Sequence, residues 1–205
     1  MAYQYAIQND VKQEDKWCRK VLHNVQNEVR DFFTFDIRLI GSGDKRLVTQ
    51  NGDGPFDLDY NLILQRDKKN LIKNPEQIKK IFMDAFKTIL EKEKLYKYST
   101  RDSSSVITLN LIDNNNDLEF SFDVAIIVEA DDGYFYRLTN DKNVGRYIWN
   151  KIPSSKNYFE RFQRVKNNNQ WMIFKKRYLE LKNMHLKRNE DIKSFSVFLE
   201  TLNEF

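Results

Sequence analysis

Leu39 to Leu64 reads LIGSGDKRLVTQNGDGPFDLDYNLIL. Phe35 to Ile40 has the apolar composition of a strand, and Gly41-Ser42-Gly43 breaks it with a turn. Phe56 to Leu64 has a period of two, which places Asp57, Asp59 and Asn61 on one face of a second strand and Leu58, Tyr60, Leu62 and Leu64 on the other. One face is therefore destined for a core. The other presents two carboxylates about 7 Å apart at a strand rise of ~3.3 Å per residue. Between the strands, residues 44 to 50 fit either a short helix or a strand, and Asn51-Gly52-Asp53-Gly54-Pro55 is a turn.

Working outward, Val106 to Ile112 and Leu118 to Glu129 read as a hairpin joined by a turn from Asp113 to Asp117. On its second strand Glu119, Ser121, Asp123 and Ala125 face one way, while Phe120, Phe122, Val124 and Ile126 face the other. Asp123 thus has small or polar neighbours on its own face. Asp131-Asp132-Gly133 turns the chain into Tyr134 to Leu138, an edge strand by pattern. Two amphipathic helices accompany these strands. The first, Asp10 to Phe33, has Cys18, Val21, Leu22, Val25, Val29 and Phe32 on one face and takes Asp10 as its cap, with Gln13 three residues on. The second opens at Asn74-Pro75-Glu76-Gln77 and buries Ile78, Ile81, Phe82, Ala85, Phe86, Ile89 and Leu90.

From about residue 142 the pattern is helical. Ser154 or Ser155 caps a helix through Phe159, Phe162 and Val165; a second runs through Trp171, Phe174, Tyr178 and Leu181, and a third through Ile192, Phe195, Phe198, Leu199 and Leu202. The division is then a core at residues 1 to 141 and a helical lobe at 142 to 205. His23 reads as a packed or solvent-facing helical residue and His185 as a surface one.

With 205 residues, 40% hydrophobic and 31% charged, the chain has the composition of a soluble globular protein of one domain, or of one domain with an appendage. No apolar run approaches the ~18 residues needed to span a bilayer, and the first residues lack the basic-then-apolar order of a signal peptide. A cytoplasmic protein with no membrane partner is expected. A single cysteine, Cys18, and two histidines leave no soft-ligand zinc cluster, so any metal would be held by oxygen. Residues 142 to 205 carry fourteen Lys and Arg against six Asp and Glu, a charge of +8 against −4 for the rest. Such a lobe attracts polyphosphate or nucleic acid, or else is a solvated helical surface, the reading preferred for Lys175 and Lys176.

Moving a nucleotidyl group from a nucleoside triphosphate to a hydroxyl needs neutralised phosphates, a deprotonated acceptor and in-line geometry. Two divalent cations about 3.5 to 4 Å apart supply these, and hard oxygen ligands suit Mg²⁺ or Mn²⁺. Asp57 and Asp59 can bridge such a pair. Asp123 is the candidate third carboxylate, completing the ion nearer the acceptor. Gly41, Ser42 and Gly43 allow close backbone approach and offer amide and hydroxyl donors to phosphates. The bland alternative is an acidic sheet rim with no metal.

Gly41-Ser42, then Asp57-Leu58-Asp59 in an apolar strand, then Asp123 in LEFSFDVAII resembles the nucleotidyltransferase superfamily typified by DNA polymerase beta. Arg101-Asp102-Ser103-Ser104-Ser105-Val106-Ile107-Thr108-Leu109 before the Asp123 strand is similar to the corresponding stretch of cyclic GMP-AMP synthase and its bacterial relatives. The resemblance implies an α+β fold: a five-stranded or similar mixed sheet backed by the helices at 10 to 33 and 75 to 95, with a helical C-terminal lobe across a cleft. It also implies a Mg²⁺-dependent nucleotidyltransferase using ATP or another nucleoside triphosphate, with Asp57, Asp59 and Asp123 as catalytic metal ligands and Gly41 and Ser42 on the β and γ phosphates. The acceptor is open among a second nucleotide, giving a signalling oligonucleotide, a protein, an RNA end or a small molecule. The alternative is a degenerate, non-catalytic module of the same fold that binds nucleic acid or a protein partner. Fourteen residues separate Ser42 from Asp57, at or beyond the long end of the family's range. The sequence stops at Phe205, earlier than cyclic-dinucleotide synthases do, which leaves room for another subunit or partner to complete the lobe.

Overall fold

The computed structural model describes all residues except 93–96, 113–116, 144 and 155, and not the side chains of 156 and 157. Most of the turn expected at 113 to 117, and Ser155 as a helix cap, therefore lie outside the described residues. The main sheet has the strand order β2 (Phe33–Ile40), β4 (Asp57–Asp67), β7 (Leu118–Glu129), β6 (Ile107–Ile112), β5 (Tyr98–Asp102). Two further strands, β8 (Phe135–Asp141) and β9 (Arg146–Lys151), join it because β8 pairs with the end of β7. A separate ribbon pairs β1 (Tyr3–Tyr5) with β3 (Thr49–Asn51).

Among the described residues only β4 and β7 pair in parallel. A parallel pair needs a long crossover, and here it contains α3 (Pro75–Lys92) and the strands β5 and β6. The alternation in β4 and β7 is realised in burial: Leu58, Tyr60, Leu62, Phe120, Phe122, Val124 and Ile126 are buried with α1 (Gln8–Val29) and α3 in one large cluster. The opposite face carries the carboxylates and, further along the strands, a small apolar cluster of Ile63, Ala125 and Ile127. Asn74 caps α3 as expected, accepting from the Gln77 amide at 3.2 Å while its side chain donates to Gln77 Oε1 at 3.2 Å. The expected cap of α1 is displaced: the helix begins at Gln8, two residues before Asp10, and its cap is Ile7, whose carbonyl accepts from Val11. Ile7 offers no side-chain bond, so packing of the apolar stripe sets that end.

After β9 come α4 (Lys156–Asn167), α5 (Trp171–Lys187) and α6 (Ser194–Asn203), whose aromatic side chains form a second core around Phe162, Phe174, Tyr178 and Phe198. Leu47 belongs to this helical core, whereas its neighbour Val48 belongs to the sheet core. The segment whose sequence fitted two elements is in fact the seam between two cores. It comprises a five-residue helix α2 (Gly41–Lys45), ended by Arg46 at φ 55°, and then β3. The strand expected at 134 to 138 is not an edge, since β9 pairs along it from Tyr136 to Asp141. Mixed polar and aromatic residues in RYIWNK gave β9 no clean alternation.

Candidate active site

The parallel register sets Asp57 beside Ser121 and Asp59 directly beside Asp123. Ile40 at the end of β2 flanks Asp59 on its other side. Side chains of paired residues on one sheet face lie close together, so the strands themselves bring the three sequence-identified carboxylates to one patch. Gly41 follows at once, with φ +64°, and a Cβ there would stand 2.6 Å from Asp59 Oδ2. Any other residue would be both strained and in collision with the carboxylate. A Cβ on Gly43 would meet Leu39 Cδ1 at 2.9 Å, which lets α2 pack against the strand it leaves.

Burial disfavours the charged forms of Asp59 and Asp123. Asp59 is pushed up to about 7 by burial and by the neighbouring Asp57 and Asp123, with Arg137 and Lys45 acting against this. Asp123 is also raised by burial, and Thr108 partly offsets the shift by donating its hydroxyl to Asp123 Oδ1 at 2.5 Å. Thr108 stands opposite Asp123 in the β6–β7 ladder. Arg137 lies on β8 opposite Ile127, and its Nε and Asn61 Oδ1 are buried without a hydrogen-bond partner among the described residues.

Above the carboxylates is a cavity of about 110 Å³ whose lining includes Asp57 and Asp59. Gly41, Ser42 and Lys45 line it from α2, while Tyr178, Lys182, Ser194, Phe195 and Phe198 line it from the helical lobe. Lys182 is only 8% exposed and donates to Thr49 Oγ1 at 2.7 Å and Ser194 Oγ at 3.1 Å. Burial lowers its ammonium to about 8, against the pull of Asp57. Lys45 donates to the Gly41 carbonyl at 3.3 Å and is likewise lowered by burial, with Asp44 opposing. Phe195 is 50% exposed and rests against Phe198. A wider groove of about 600 Å³ runs along α5 past Lys176 and Met184 and touches none of the carboxylates. Because α5 and the Arg188 that caps its end supply the lining, it is a surface furrow.

Lys45, Thr108, Arg137, Lys182, Ser194 and Phe195 were not singled out by sequence. For Lys182 a signal existed: Tyr178, Leu181, Lys182 and His185 are four buried positions at helical spacing, so two polar residues occupy the apolar stripe. His185 is accordingly not a surface residue. It is 8% exposed, between Glu190 and Glu200. Lys175, by contrast, lies over the Tyr5 ring and lines neither concavity.

Carboxylate oxygens are the donors that a hard divalent cation takes, yet the three acids, though on one sheet face, are not drawn together around one ion in this arrangement of side chains. Among the described residues no three acid, imidazole or thiol groups converge closely enough to hold one ion. Nor is any helix there long and apolar enough to cross a membrane.

This arrangement of sheet, α2 turn and helical lobe is the fold of the bacterial cGAS-like nucleotidyltransferases. The structure is similar to the STING-associated CdnE c-di-GMP synthase of Capnocytophaga granulosa, with a TM-score of 0.66 at 13% identity over 98% of this chain and 61% of that one. It is also similar to Vibrio cholerae DncV in its 3'-deoxy ATP bound form, with a TM-score of 0.58 at 14% identity over 90% of this chain and 49% of that one. The DncV cyclic AMP-GMP synthase in complex with the linear intermediate 5' pppA(3',5')pG gives a TM-score of 0.56 at 12% identity, with 90% and 51% covered. The chain thus spans between about half and three fifths of these proteins. No family model and no curated protein sequence matches it.

Proposed function

We propose that the protein is a Mg²⁺-dependent nucleotidyltransferase that transfers a nucleoside monophosphate from ATP or another nucleoside triphosphate to a hydroxyl. The observation that carries this reading is the register of Asp59 beside Asp123, with Asp57 on the same face, under a cavity walled by Gly41, Ser42 and Lys182. Asp57, Asp59 and Asp123 would hold the metal, which when bound supplies charge neutralisation on the phosphates and a more acidic acceptor hydroxyl. The amides and hydroxyl at Gly41, Ser42 and Gly43, with Lys45 and Lys182 from opposite walls, bind the triphosphate. Phe195 offers an aromatic face to a nucleobase at the mouth. In the transfer, the acceptor oxygen bonds to the α-phosphorus as the bond to the bridging oxygen breaks. Pyrophosphate leaves, and the hydroxyl proton passes to Asp123. A second nucleotide is the acceptor most consistent with the fold, giving a linear or cyclic oligonucleotide. The working division is a catalytic half at residues 1 to 141 and a basic lobe from 142 that contributes β9 and the far wall.

Incubation with each labelled triphosphate and Mg²⁺, with products resolved by mass, tests the proposal. Pyrophosphate release and a nucleotidylated product are expected, both abolished by Asp59→Asn. If triphosphate raises the melting temperature of wild type and Asp59→Asn equally, or of neither, the catalytic reading fails. A non-catalytic nucleic-acid module instead gives RNA or DNA affinity that falls steeply with salt and ignores Asp59→Asn.

A further inference from the structure

We propose that His185 is a positioning residue for the cavity wall: as an imidazolium bridging Glu190 and Glu200 it fixes α6 against α5, and the wall loosens when that proton is lost. His185 Nδ1 lies 2.5 Å from Glu190 Oε2, and Nε2 lies 2.7 Å from Glu200 Oε2. A carboxylate accepts only, so both bonds exist together only when both ring nitrogens carry hydrogen. Neutral imidazole has one N–H and must give up one of the two. Glu190 belongs to the turn after α5, where its amide also donates to the His185 carbonyl, and Glu200 belongs to α6. The bridge therefore spans a helix end, a turn and the next helix.

One turn earlier on α5, Lys182 donates to Ser194 at the start of α6. Lys182 and His185 together hold the segment that presents Ser194, Phe195 and Phe198 to the cavity. The charged groups facing His185 are Glu190 from the turn and Glu200 from α6. The hydrogen bonds to the two glutamates raise the imidazole above its ordinary value and outweigh its desolvation. The bridge is thus complete below the ordinary imidazole range and is lost as pH rises through the raised value.

The first measurement uses the whole protein without nucleotide. With ¹⁵N-histidine labelling there are two imidazoles, His23 and His185, assigned by His185→Gln. Hydrogen exchange of α6, expressed as protection factors, is followed over the same pH range. The expected result is a His185 titration above the ordinary imidazole value and a loss of α6 protection at the same midpoint. In Glu200→Gln, which removes one charge and keeps an acceptor, both midpoints should fall together. An ordinary titration of His185, or α6 protection that does not follow the His185 midpoint in wild type and Glu200→Gln, overturns the proposal. A destabilised but otherwise structural variant would lower protection at every pH without moving a midpoint. The link to the cavity rests on the triphosphate reading and is tested separately by ATP and GTP titrations in Mg²⁺. A several-fold weakening across the His185 midpoint is expected, and in His185→Gln only the fall through about 8 that belongs to Lys182 should remain. Affinity that ignores the midpoint while α6 loosens overturns the role in positioning, whereas no triphosphate binding at any pH, with α6 still following His185, overturns the nucleotide reading and leaves the bridge standing.

Discussion

At the residue scale, the site is a compromise between burial and charge. Asp59, held at about 7 by burial and two neighbouring acids, favours its protonated form in the folded state relative to an unfolded value near ~4. The sign follows: the penalty is absent below that unfolded value, grows as pH rises, and is complete above about 7. Asp59→Asn should therefore raise the melting temperature of the metal-free protein at pH 8 by about 2–4 °C, equivalent to ~1 kcal/mol, with the gain vanishing near pH 4. Calorimetry in chelator at both pH values checks this. Gly41→Ala is expected to act the other way. Positive φ and the close Asp59 oxygen should cost ~1–3 kcal/mol and abolish nucleotidyl transfer, measured by denaturant unfolding and product formation. Lys182→Met should weaken ATP binding at least tenfold. In wild type the same affinity should fall as pH rises through about 8, where the ammonium is lost. The carboxylates were legible in sequence because alternation assigns a face to every strand residue. Thr108 was not, since its place opposite Asp123 depends on hairpin register, which the turn geometry sets.

At the element scale, strands with clean alternation and helices with a single apolar stripe were readable, and β7 has the expected ends, Leu118 and Glu129. Short pieces were not: β1 and β3 have three residues each, too few for any period to emerge. β1 is instead held by partners distant in sequence. The Tyr3 amide donates to Asn183 Oδ1 at 2.6 Å, and the Tyr5 hydroxyl donates to the Lys175 carbonyl at 2.7 Å. Segment 44 to 50 was ambiguous for a related reason, because its two apolar residues serve different cores. Leu47, 1% exposed, is the sheet side's anchor in the helical lobe. Leu47→Ala should cost ~2–4 kcal/mol and show first as faster hydrogen exchange in α5 and α6, with β4 and β7 still protected.

At the scale of the whole molecule, the acid-rich sheet half and the basic lobe meet at the cavity. An excess of fourteen cations over six acids beyond residue 142 should make triphosphate capture depend on ionic strength. Affinity for ATP is expected to drop several-fold between 50 and 300 mM salt, more steeply than screening of one lysine accounts for; calorimetric titration at several salt concentrations measures the slope. The parallel pairing of β4 with β7 has a consequence in time as well as in space. Neither strand holds a complete site, and the crossover between them must close before Asp59 and Asp123 become neighbours, the kind of non-local contact that forms slowly. A slip of one residue would turn Asp123 into the core, and a slip of two would set it beside Asp57 or Asn61. If the proposed metal site is right, affinity for Mn²⁺ should act as a clock on refolding: its recovery should lag the return of helical signal and coincide with the final locking of the sheet.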